Sequence, residues 1–141
     1  MKIVKKCDIC KSNVYVDQWG NGKCKNCGWY QNVDCLNFPK VANPPNFISL
    51  NKAKGRYKKG ENFYPTFKEF INLVERGFDF TFKFENKNFQ ISVHDDITLW
   101  EIDTENYVVY KSLSEFKRTF SINNQLISTN WNKIKNLEYD C

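Results

Sequence analysis

The sequence predicts an α+β fold: an N-terminal ribbon pinned by cysteines, then a small domain in which helices cover an antiparallel four-stranded meander. Three observations predict it. Two Cys-x-x-Cys pairs, Cys7/Cys10 and Cys24/Cys27, stand near the N-terminus with thirteen residues between them. Phe recurs at 78, 80, 82 and 84 with polar residues between, the period of a strand buried on one face. Thr66 with Glu69, and Ser112 with Glu115, carry the spacing of a capping box, which opens a helix. The chain accordingly divides into a ribbon (1–35), a linker with a short basic helix (36–60) and an α+β domain (61–141).

In the ribbon, a two-residue gap lets both thiolates of one tight turn reach the same ion, and four such sulfurs suit tetrahedral zinc. Gly28 follows the second pair, where the backbone folding around sulfur favours positive φ; Lys11 holds the equivalent place after the first. Val14 to Gln18 has strand character, and Gly20-Asn21-Gly22 supplies a hairpin turn that leads back into Cys24. A rubredoxin-type iron site uses the same two pairs, and the short spacing favours zinc. Two disulfides would need an oxidising compartment that nothing in the chain indicates. A catalytic zinc needs an open position, which four thiolates close, so one structural Zn²⁺ is expected. Cys35 and Cys141 fall outside the tetrad and read as ordinary thiols.

With its preceding hairpin and first Cys pair, the knuckle Cys24-Lys-Asn-Cys27-Gly28-Trp29 resembles the small cysteine-rich bacterial ribbon proteins of the CPCC type, whose second knuckle reads Cys-x-x-Cys-Gly-Trp. The likeness covers about a fifth of the chain, and Cys7-Asp-Ile-Cys10-Lys11 lacks that family's Pro, third Cys and Gly. The resemblance implies zinc binding and a bacterial, cytoplasmic protein; it implies no activity.

After the ribbon, Pro39, Pro44 and Pro45 make 36–48 an extended linker. Ser49 then caps a helix with Leu50, Ala53 and Tyr57 at helical spacing, stopped by Gly60. Lys52, Lys54, Arg56, Lys58 and Lys59 make it the most basic element, and with Trp29 they form a candidate nucleic-acid surface.

From Thr66, Phe67, Phe70, Ile71 and Val74 form the apolar stripe of a helix ended by Gly77. The Phe strand turns at Asn86-Lys87-Asn88 and returns as Phe89-Gln-Ile91-Ser-Val93. His94-Asp95-Asp96 turns the chain again into a strand from Ile97 to Ile102, and a fourth strand runs from Tyr107 to Tyr110. Ser112 opens a helix carrying Leu113, Phe116 and Phe120. Thr129 is expected to cap a last short helix with Trp131, Ile134 and Leu137.

Hydrophobic residues make up 41% of the 141 residues and aromatics 16%, enough for a core and too apolar for a disordered chain. No apolar run reaches the length of a membrane span, and no apolar stretch follows the first lysines as in a signal peptide; a cytoplasmic location is the expectation. The first 60 residues hold twelve Lys or Arg against three Asp, the rest nine basic against thirteen acidic residues. Such polarity bears on partners, not fold.

His94 is the only histidine, it sits in a turn, and no glycine-rich phosphate loop accompanies it, so no catalysis is expected. The sequence therefore reads as a zinc protein that acts by binding. A protein partner at Asp95, Asp96, Glu101, Asp103 and Glu105 on the outer sheet face is preferred to nucleic acid, and the compact acidic domain is similar to immunity proteins and antitoxins. No small-molecule substrate or membrane is implied.

Overall fold

The computed structural model describes residues 3–140, so Cys141 lies outside the described residues. The chain forms two compact units, Met1–Pro65 and Thr66–Cys141. No helix among the described residues is long and apolar enough to cross a membrane.

In the first unit, β1 (Ile3–Lys6) pairs antiparallel with β2 (Asn13–Val16), and β3 (Gly22–Lys23) with β4 (Tyr30–Gln31). Each Cys-x-x-Cys pair thus sits at the tip of its own hairpin. The expected hairpin from residues 14–18 back into Cys24 is not the pairing that forms, although the chain does turn there. Asp17 Oδ1 accepts the N–H groups of Trp19 (2.9 Å) and Asn21 (3.0 Å), an Asx turn. The pairing that forms joins the strands on either side of each Cys-x-x-Cys turn. A side chain at Gly22 would run into the Tyr15 carbonyl, so β3 can lie close against β2 only without a Cβ.

Helix α1 (Val33–Asn37) begins before the expected linker and overlaps its first residues. Asn32 caps it, its Oδ1 accepting from the N–H groups of Asp34 (2.8 Å) and Cys35 (3.2 Å). α2 (Leu50–Lys58) is the expected basic helix. Ser49 Oγ accepts the Lys52 N–H at 3.2 Å, and Gly60 ends the turn with φ of 73°. Ile48, Leu50 and Ala53 are buried in one cluster with Cys7, Cys24, Trp29 and Cys35. The proline-containing segment therefore contributes to the core that surrounds the cysteines.

The second unit opens with α3 (Phe67–Glu75) and its full capping box: Thr66 accepts the Glu69 N–H and Glu69 accepts the Thr66 N–H. Gly77 at φ 92° stops the helix. β5 (Asp79–Phe84), β6 (Lys87–Val93), β7 (Ile97–Glu101) and β8 (Tyr107–Tyr110) form the meander. The first turn is shorter than expected: Glu85 and Asn86 both take positive φ (49° and 64°), and Lys87 already pairs with Phe84. After α4 (Leu113–Thr119), β9 (Ser121–Ile122) and β10 (Gln125–Leu126) make a small hairpin across Asn123 and Asn124, at φ 52° and 61°.

The expected last helix does not form. Residues Ile127–Thr129 and Trp131–Lys133 are single 3₁₀ turns, and β11 (Lys135–Asp140) follows, pairing antiparallel with β5. A spacing of three fits a 3₁₀ turn as well as a helix; beyond it Leu137 and Tyr139 alternate buried with exposed neighbours, the strand period. The sheet is therefore five-stranded, in the order β11-β5-β6-β7-β8.

One sheet face is buried through Phe80, Phe82, Phe84, Phe89, Ile91, Ile97 and Leu99. Phe70 of α3 meets Phe80 with ring centroids 4.8 Å apart, and Phe116 of α4 stands 5.2 Å from Tyr110 and 4.6 Å from Phe120. The other face is open. Its central row, read from the strand register, runs Glu138, Thr81, Gln90, Trp100, Tyr107 across all five strands.

Candidate metal centre

The four cysteines of the two hairpin tips converge: all four sulfurs lie within 4.8 Å of one another. Cys7 Sγ is 3.6 Å from Cys27 Sγ, and Cys10 Sγ is 3.6 Å from Cys24 Sγ. A zinc ion bonded to sulfur at about 2.3 Å implies tetrahedral edges of about 3.8 Å, whereas a disulfide brings its sulfurs to about 2.05 Å. These separations fit four thiolates around a metal ion, and Cys7, Cys10, Cys24 and Cys27 could hold one.

The two tips repeat one backbone pattern. The Cys7 N–H donates to Ser12 O (2.7 Å) and Lys11 N–H to Cys7 O (3.1 Å). At the second tip Cys24 N–H donates to Trp29 O (2.8 Å) and Gly28 N–H to Cys24 O (2.9 Å). The residue that closes each tip is left-handed: Lys11 at φ 66°, Gly28 at 85°. Lys11 accepts the conformation that Gly28 adopts without strain.

Backbone donors stabilise charge on sulfur. Cys7 Sγ accepts the Ile9 N–H at 3.4 Å, and Cys24 Sγ accepts the Cys27 N–H at 3.5 Å. At Cys10 burial opposes ionisation, but hydrogen bonds from Asn26 and Ser12 outweigh it and bring the thiol down to about 6. Burial pushes the Cys27 thiol up. A bound cation favours the thiolate form of every ligand.

Gln31 is the residue sequence reasoning missed. It is fully buried; its Nε2 donates to Cys7 Sγ at 3.2 Å and to Trp29 O at 3.4 Å, while Oε1 accepts the Asp8 N–H at 3.1 Å. One side chain thus ties the first tip to the second hairpin and supports the sulfur of a candidate ligand. The one available sign was strand parity, which puts Gln31 on the face of Trp29. Cys35 stands apart as a buried thiol whose Sγ accepts from Asn46 Nδ2 at 3.5 Å; burial raises its pKa.

The other candidate residues are less well gathered. Trp29 is only 1% exposed, its ring edge-on to Phe63 at 5.7 Å; a base cannot stack on it, and it is removed from the nucleic-acid candidates. The basic residues of α2 do not share a face. Helical spacing puts Lys52, Arg56 and Lys59 on one side of the buried Leu50–Ala53 stripe, and Lys54 and Lys58 on the other. Arg56 Nη1 also donates to Tyr64 O at 2.9 Å.

Nor do the acidic residues form one surface. Asp95 and Asp96 precede β7 while Glu101, Asp103 and Glu105 follow it or end it, so about 15 Å of strand separates the two sets. Glu101, Asp103 and Glu105 do not lie along one strand, because β7 ends at Glu101. Glu101 is engaged: Oε1 pairs with Lys87 Nζ at 3.3 Å, and Oε2 accepts from Asn106 Nδ2 and Thr104 Oγ1, both at 3.2 Å. The Asn106 hydrogen bond leads the influences that lower its pKa. His94 is exposed in the β6–β7 turn.

What the open sheet face does present is aromatic. Trp100 and Tyr107 are 39% and 58% exposed, their rings 4.8 Å apart. No protein-family model, curated protein or solved structure matches the chain.

Proposed function

We propose that the chain is a non-enzymatic protein whose first unit is a zinc ribbon, and which binds a protein partner on the open face of its sheet. The observation that supports the binding surface is the exposed Trp100–Tyr107 pair in a row of neutral and acidic side chains. Large aromatics are enriched where protein partners dock, because they bury much area at little entropic cost. The ribbon reading rests on four sulfurs at tetrahedral spacing with backbone N–H donors and no open ligand position. An immunity- or antitoxin-like role in a bacterial cytoplasm fits such a small binder.

Two measurements test the two halves. Elemental analysis of the purified chain should find one zinc per molecule, and a metal-free or iron-loaded native protein would overturn the ribbon reading. Affinity purification should retain one stoichiometric protein, lost from Trp100→Ala/Tyr107→Ala and kept by Asp95→Lys/Asp96→Lys. Retention unchanged by the aromatic pair would overturn the surface.

A further inference from the structure

We propose that β8 is a self-pairing edge: two copies of this chain join antiparallel through Tyr107–Tyr110 and make one ten-stranded sheet. The inference stands on the edge strand itself and does not depend on the partner reading above.

β8 ends the sheet, and among the described residues no strand pairs with its outer side. Its middle is apolar and open: Tyr107, Val108 and Val109 are 58%, 48% and 40% exposed. Chains usually blunt such an edge with charge, proline or a bulge, since it templates pairing with another chain. Residues 106–110 contain neither a charged residue nor a proline, and the β7–β8 register shows no bulge.

The hydrogen-bond phase selects the register. Glu101 N–H donates to Asn106 O at 3.0 Å, so the pair Glu101–Asn106 is hydrogen-bonded. Antiparallel ladders alternate; hence Asn106, Val108 and Tyr110 direct their backbone groups at β7, while Tyr107 and Val109 direct theirs outward. A twofold axis through Val108, perpendicular to the sheet, sets Tyr107 opposite Val109 of the second copy and the reverse. All four outward N–H and C=O groups of each β8 segment are then paired, and like faces stay together.

Carried past the ends of β8 into the bends that flank it, the same register sets Glu105 near Lys111 of the second copy, twice per dimer. The flanking charges are thus self-complementary, which is the reason to name a second copy and not an unrelated strand. Val108 meets its own counterpart on the helix side, next to a groove of about 180 Å³ lined by Phe89, Leu99, Val108 and Ile122.

Sedimentation of the full chain over a concentration series to millimolar tests the proposal, with amide exchange as the local readout. The expected result is a mass twice that of one chain at high concentration, with the Tyr107 and Val109 amides becoming protected as the dimer forms. Val109→Pro removes only an outward N–H, so it should leave the fold and abolish the dimer. Lys111→Glu sets like charges opposite each other twice and should weaken association by about tenfold; Glu105→Lys/Lys111→Glu restores the pairing and should recover it. A monomer at every concentration overturns the proposal. So does a dimer whose affinity ignores both Lys111→Glu and the swap, even if Val109→Pro fails to fold.

Discussion

The two units bury their chains by different means. In Met1–Pro65 the strands are two to four residues long, and the largest side chain fully inside is one Trp. Four sulfurs at the hairpin tips occupy the place where a larger domain would have a core. In Thr66–Cys141 the strands run from two to seven residues, and Phe70, Phe80, Phe84, Phe116 and Phe120 are almost wholly buried. A unit of that size is marginal against its chain entropy, and its two short hairpins bury fewer large side chains than the sheet does. The difference teaches that one chain can hold two designs side by side: four sulfurs gathered where they could bind an ion, and apolar area removed from water.

Metal removal should break this contrast most visibly. Structural zinc is worth on the order of 10–16 kcal/mol in small peptides, more than a short two-hairpin unit has otherwise. Chelation, or Cys24→Ser/Cys27→Ser, should therefore unfold residues 1–65, seen as loss of amide dispersion there, while the β5–β8 amides keep their protection. Unchanged order in the first unit would mean that Ile48, Leu50, Ala53 and Trp29 suffice without a metal.

The converse probe is Phe70→Ala. Phe70 touches Phe67, Phe80, Phe116, Phe120 and Trp131 at centroid distances from 4.8 to 6.4 Å. Truncating a Phe so placed should cost about 3–5 kcal/mol, read by denaturant unfolding of the second unit, with metal content per chain unchanged.

A third, smaller effect tests whether the ion's surroundings matter as well as its ligands. Gln31→Ala removes the Nε2 donor to Cys7 Sγ and leaves the Asp8 N–H without its acceptor. Loss of an outer partner of this kind weakens metal affinity by about 10–100-fold, to be measured by competition with a chromophoric chelator. Affinity equal to wild type would confine the site's energetics to the four thiols.

The two units also differed in how much could be read beforehand. Helix starts were legible because one side chain and one backbone group decide them: Ser49, Thr66 and Ser112 all cap as spaced. The meander was legible because period two at Phe80 to Phe84 and Phe89 to Val93 has one structural solution. Misreadings arose where two structures share a period. Trp131, Ile134 and Leu137 satisfy a spacing of three, yet only the first turn is coiled and Leu137 lies in a strand. The cysteine tetrad was legible from spacing; parity with Trp29 hinted at the buried face of Gln31, but its hydrogen bond to Cys7 depends on the two hairpins meeting, which no local pattern encodes. The acidic residues looked contiguous in sequence, and β7 puts its own length between them.

The finest comparison is within the first unit, between its two tips. Lys11 and Gly28 hold the same position in matching hydrogen-bond patterns, both with positive φ. A left-handed residue with a Cβ pays roughly 1–2 kcal/mol, while a glycine raises the entropy of the unfolded chain by about 0.4–1 kcal/mol. The first exceeds the second, so Lys11→Gly should stabilise the metal-bound unit by about 0.5 kcal/mol net. Gly28→Ala should cost a similar amount, since a Cβ there meets nothing within 4 Å and only the backbone term acts. Thermal unfolding of the two variants should move in opposite directions. If both destabilise, the Lys11 side chain is contributing to the first tip, and the tips are equivalent in backbone only.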